Sequence, residues 1–130
     1  MRTKRILYCS LAGLIILFLS CEGGTTFTKT IDNKSSESIT VKLITIYGSN
    51  THLTIETNES KEIYWDDQIG SFVDDSYTCT QIIDSVEIKV TNNKTLIKDI
   101  RNPDNWIRKS KDGRNSREDC IFKVTNNDLQ

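Results

Sequence analysis

From Ser85 to Lys89 and on to Val90 the chain alternates without a defect: Val86, Ile88 and Val90 are apolar, and Glu87 and Lys89 between them are charged. Successive side chains of a strand point to opposite faces, so a period of two predicts a strand with one face in a core and the other in water. Asn92, Asn93 and Lys94 supply turn chemistry, and residues 95–100 (TLIKDI) read as the returning arm of a hairpin. The stretch 38–47 alternates at Ile39, Val41 and Leu43 and then changes phase to Ile44 and Ile46, which predicts a bulge or a strand buried on both sides. Residues 120–125 read as a closing strand, and 25–32, 52–57, 61–65 and 76–83 as weaker ones. Only one place carries a helical start: Asn102 as cap, Pro103 in the first position and Asp104 at the positive end, with Lys111, Asp112 and Gly113 as the stop.

About eight short strands with turn residues every 8 to 12 positions predict an all-β chain. The expected architecture is an immunoglobulin-like β-sandwich of about seven or eight short antiparallel strands, with a small β-barrel as the alternative. No internal repeat or low-complexity block interrupts it.

The amino end follows a different pattern. Arg2, Lys4 and Arg5 precede an apolar run from Ile6 to Leu19, broken only by Ser10 and Gly13 and followed by the small residue Ser20. As a helix this run would span about 21 Å, short of the roughly 30 Å hydrocarbon core of a bilayer. It reads as a helical export signal rather than a permanent span. The organisation expected is therefore a signal peptide at 1–20, a tether at 21–26 and a β-sandwich domain at 27–130.

Phe18-Leu19-Ser20-Cys21 resembles the lipobox of bacterial lipoproteins, an apolar and then a small residue before a cysteine. Phe18 stands where Leu is usual, and Leu19 is bulkier than the common Ala or Ser. The resemblance implies transfer of diacylglycerol to the Cys21 thiol, cleavage before it, and acylation of the new amino group by a palmitate-like chain. One acyl chain holds a protein only reversibly, at about 0.8 kcal/mol per buried methylene; two or three make the attachment effectively permanent. The mature part, with stretches such as NKSSES, LTIETNESKEI, IDSVEIKV and VTNNDLQ, resembles in layout the small lipoproteins of Bacteroidota. That resemblance implies a sandwich on the cell envelope and carries over no activity. Glu22 is not the Asp that, by family analogy, retains lipoproteins at the inner membrane, so the outer membrane is the expected home.

Four cysteines occur in the 130 residues. Cys9 falls within the signal and Cys21 at its end, leaving Cys79 and Cys120, which in an oxidising compartment are expected to form a disulfide. Closing a loop of about 42 residues contributes roughly 4 kcal/mol on the chain-entropy account. Neither Cys-x-x-Cys spacing nor a neighbouring histidine suggests a metal or redox site.

Removing residues 1–20 leaves 14 basic against 18 acidic residues, about −4 by counting, which argues against nucleic acid as a partner. The lone histidine, His52, sits among Thr51, Leu53 and Thr54 and reads as a solvated strand residue, so no catalytic constellation is expected. Asp66, Asp67, Asp74 and Asp75 are weak metal candidates, because clustered carboxylates suit calcium but the D-x-D-x-D-G ladder is missing. No cofactor is expected. Trp65 and Trp106, with Tyr64, Phe72 and Tyr77, concentrate aromatic area in the same region. Exposed together, Trp65 and Trp106 would offer a platform for sugar rings or an anchor for a protein; buried, they would fill the core. The function expected is a membrane-anchored binding module for an envelope glycan or protein, held by lipid on Cys21, with a structural role or inhibition of a secreted enzyme as alternatives and no enzyme activity expected.

Overall fold

The computed structural model describes residues 23–70 and 74–130; the expected signal peptide, Cys21 and Phe72 lie outside them. Among the described residues seven strands form the fold: β1 (Gly24–Asn33), β2 (Ile39–Thr45), β3 (Asn50–Ile55), β4 (Ser60–Ile69), β5 (Ile83–Val90), β6 (Trp106–Lys111) and β7 (Asn115–Val124). They make a four-stranded sheet in the order β4-β1-β7-β6 and a three-stranded sheet in the order β3-β2-β5. The molecule is thus an all-β sandwich of two open sheets rather than a closed barrel.

One pairing departs from the antiparallel expectation, since β1 and β7 run parallel, in register from Gly24 opposite Asn115 to Asn33 opposite Val124. A parallel pair needs a long crossover, and the five intervening strands provide it. β1 also takes β4 on its other side, with a register shift at Lys29 and Thr30. Because β1 begins at Gly24, Gly24, Thr25 and Thr26 are already sheet rather than tether.

The core gathers where alternation brings both inner faces together. Ile31, Phe122, Val124 and Trp106 from the larger sheet meet Ile39, Val41, Leu43 and Ile55 from the smaller. The phase change in β2 is a register shift against β5 between Ile44 and Thr45, and it leaves Ile46 exposed.

Three expected elements come out differently. Residues 95–100 do not return along β5; instead Thr95 and Ile97 donate to the carbonyls of Gln130 and Asp128, and Leu96 bridges Leu129. Leu96 and Leu129 pack against the core together, and Ile100 is part of it, so burial of these side chains wins over a local hairpin. The expected helix after Asn102 stops after a single 3-10 turn, Pro103–Asn105, although Asn102 does cap it by accepting from the Asp104 amide at 3.0 Å. A first turn is costly and must be extended to be stable; here Trp106 enters β6 and the ladder to β7 takes over. Residues 76–82 form turns rather than a strand.

Candidate functional site

The inner face of the larger sheet is apolar only along half its length. Beyond Ile31 towards the start of β1 the inward positions are Lys29, Phe27 and Thr25, beside Tyr64, Asp66 and Gln68 on β4. On the other side β7 adds Cys120 and Glu118, and β6 adds Arg108 and Ser110. The segment 74–82 covers this polar half, as a disulfide ties Cys79 to Cys120 with Cα atoms 5.6 Å apart.

Irregular backbone laid over a sheet needs partners for its carbonyls. Arg108 supplies two, donating to Asp74 O at 2.8 Å and Tyr77 O at 3.0 Å, and Lys29 donates to Cys79 O through a short hydrogen bond. Arg108 also grips Glu118 with two bonds, at 2.8 and 2.9 Å, and Ser110 adds a third. Burial pushes the Glu118 carboxyl up, but the bonds from Arg108 and Ser110 outweigh it and hold the carboxyl below the usual range. Lys29 is fully buried, donates to Tyr77 Oη at 3.1 Å, and has its pKa pulled down to about 8 by desolvation. Every described buried polar side-chain atom has a partner.

Between this segment, the end of β4 and the β2–β3 turn lies an open hollow of about 450 Å³. Its walls are the rings of Phe27, Tyr47, Tyr64 and Tyr77, with Ile82 as a further apolar surface. Phe27 and Tyr77 pack with ring centroids 5.2 Å apart, which fixes the inner wall. Two carboxylates, Asp66 and Asp74, and three neutral polar groups, Gln68, Ser76 and Gln81, complete the lining. A second hollow of about 340 Å³ shares Tyr47, Tyr64 and Asp66 and adds Ser49 and Trp65, so an aromatic groove continues around the edge strand β4.

Burial, and after it the Asp66 carboxylate, raises the Tyr64 phenol to about 12; burial and then Glu118 raise Tyr77 to about 12. Both phenols are therefore neutral donors at physiological pH. Asp74 is held below the usual carboxylate range by the Ser76 hydroxyl and amide, at 2.6 and 2.8 Å.

Of the residues expected to form a site, Tyr64 and Trp65 lie at the groove, and Trp65 is 57% exposed. Trp106 does not join them. It is on the opposite face of the sheet, buried against Phe122 with its indole N–H donating to Ile100 O at 2.8 Å. A stacking platform of Trp65 with Trp106 is therefore absent: Trp65 stands opposite Thr28, whereas Trp106 aligns through Phe122 with Ile31, and the odd spacing of those two β1 residues puts the tryptophans on opposite faces. Asp66 and Asp67 point to opposite faces in the same way; Asp67 accepts from Thr26 at 2.6 Å. Asp74 accepts from Ser76, while the Asp75 carbonyl accepts from Arg108 at 3.5 Å. Among the described residues no group of three His, Cys, Asp or Glu is placed to hold a metal ion. His52 is exposed on β3, opposite Lys42 of β2.

Sequence reasoning did not single out Tyr47, Phe27 or Lys29 for this region. The signal for the last two was present, since Thr25, Phe27, Lys29 and Ile31 share one phase of the β1 alternation. Comparison with protein-family models, with curated proteins and with solved structures finds no match to this chain.

Proposed function

We propose that this protein is an envelope lipoprotein, anchored through acyl chains on Cys21 in the outer membrane, whose β-sandwich binds an envelope glycan or protein. The observation that carries the binding reading is the groove around β4, where Tyr47, Tyr64 and Trp65 offer aromatic surface beside open hollows. Monomeric domains rarely leave large rings clustered in water, and Tyr47 and Trp65 are 68% and 57% exposed. Sugar rings and protein anchors both use such surfaces, stacking on the ring face while neighbouring polar groups fix orientation. The lipid anchor rests on the resemblance of residues 18–21 to a lipobox and on the apolar run before it. It supplies location, and the groove supplies the task.

Crosslinking on intact cells tests the reading. Wild-type protein is expected to capture a polysaccharide or a second protein, and Tyr47→Ala combined with Trp65→Ala to lose it, since both side chains are exposed and dispensable to the core. Recovery of self-linked material alone overturns the proposal.

A further inference from the structure

We infer that the groove recognises a glycan bearing a free, protonated amine, with the aromatic walls against the sugar ring and Asp66 and Asp74 receiving the ammonium. This rests on the binding reading above and narrows it to one ligand chemistry.

Three properties of the lining point there. Its rings present apolar faces, which suit the C–H face of a pyranose. Its neutral polar groups, Gln68, Ser76 and Gln81, offer donors and acceptors of the kind sugar hydroxyls need. Among the described residues of the lining the only formal charges are the two carboxylates, and none is basic. The cations nearby hold other groups: Lys29 is buried and bonded to Tyr77 Oη and Cys79 O, and Arg108 is bonded to the Glu118 carboxylate and to the Asp74 and Tyr77 carbonyls, with its charge felt only weakly at the Asp74 carboxyl. A uronic acid or a phosphorylated sugar would meet repulsion from two carboxylates in this hollow, and a neutral sugar would cover them while adding no charge of its own to offset theirs.

Neither carboxylate is exhausted by its own neighbours. Among the described side chains Asp66 accepts from Gln68 Nε2 at 3.1 Å, and Asp74 accepts from the Ser76 hydroxyl at 2.6 Å. A carboxylate has about four lone-pair positions, so each keeps capacity for an ammonium proton. The four aromatic rings add a cation-attracting surface around the same space. The hollow, at about 450 Å³, falls in the range of small-ligand sites and is open enough to admit the end of a chain.

The test titrates the full-length lipid-modified protein in detergent micelles with two probes: the β-1,4-linked glucosamine disaccharide at mildly acidic pH, and its di-N-acetyl form, which has the same rings and no charge. The amine form is expected to bind at least about tenfold more tightly, the increment of one charge-assisted hydrogen bond. Asp66→Asn and Asp74→Asn, near-isosteric changes on an exposed rim, should each reduce that preference, and the double variant should bring the two probes to parity. Tyr47→Ala should weaken both probes alike. Equal binding of the two probes to wild type, lost in Tyr47→Ala, overturns the amine and leaves the groove as a binding site. Failure of both probes overturns the inference, and the crosslinking experiment then decides the broader reading separately. Binding of a lysine tripeptide in preference to the amino sugar also overturns it, moving the ligand from glycan to protein.

Discussion

Lys29 is the residue whose surroundings most constrain its chemistry. It lies at an inward position of a central strand, between the rings of Tyr64, Tyr77 and Trp106, with a carbonyl and a phenol as its side-chain hydrogen-bond partners among the described residues. Its proton is held less tightly in the fold than in the unfolded chain, with a pKa of about 8 against 10.5. From pH 8 towards 10 the unfolded state binds more protons there, so stability should rise with pH, by on the order of 2 kcal/mol. Above about pH 10 the sign reverses, because Tyr64 and Tyr77 stay protonated in the fold up to about 12 while unfolded tyrosines ionise. Thermal midpoints measured across this range check both limbs; Lys29→Met should flatten the first and leave the second. Glu118 has the same sign as Lys29 but at acid pH, as a carboxyl held low whose stabilisation is complete above the ordinary glutamate range and lost as pH falls through its folded value. Glu118→Gln leaves Arg108 without its counter-charge and should cost about 3 kcal/mol in urea denaturation.

At the scale of elements the disulfide is the decisive part, because residues 74–82 have no strand ladder of their own. They stay on the sheet through Cys79–Cys120 and the bonds from Arg108 and Lys29. Cys79→Ser with Cys120→Ser should cost roughly 4 kcal/mol, with the largest rise in amide exchange confined to this segment. Elements were legible in the sequence where local pattern and tertiary demand agree. β5 follows Val86, Ile88 and Val90, and the bulge of β2 follows the phase change at Ile44. Where they conflict, the larger burial wins: Asn102, Pro103 and Asp104 start a helix that Trp106 ends by entering the core, and Leu96 leaves β5 for Leu129. The groove was half legible. Tyr64, Trp65, Asp66 and Asp74 stand out as aromatic and acidic neighbours in the chain. Tyr47 reaches them only because β3 and β4 bring two sheets to a common edge, which no local pattern records.

For the molecule as a whole, the proposed attachment and the proposed binding are expected to be separable. Cys21→Ser should shift the protein from the membrane to the soluble fraction on cell fractionation, and intact mass should show the loss of acyl chains, while ligand affinity in solution stays unchanged. Retention of the variant in the membrane would place the anchor elsewhere.

The position of the first strand bears on how such an attachment endures. β1 starts at Gly24 and is clasped along its length by β4 on one side and β7 on the other. A pull entering through the amino end therefore runs along two hydrogen-bonded ladders at once, loading them in shear, where many bonds must yield together instead of opening one at a time like a zip. If the proposed anchor and ligand are as argued, a module built this way would resist being stripped from its leash by drag on its cargo, and the seam bearing the strain would be the one that walls its groove.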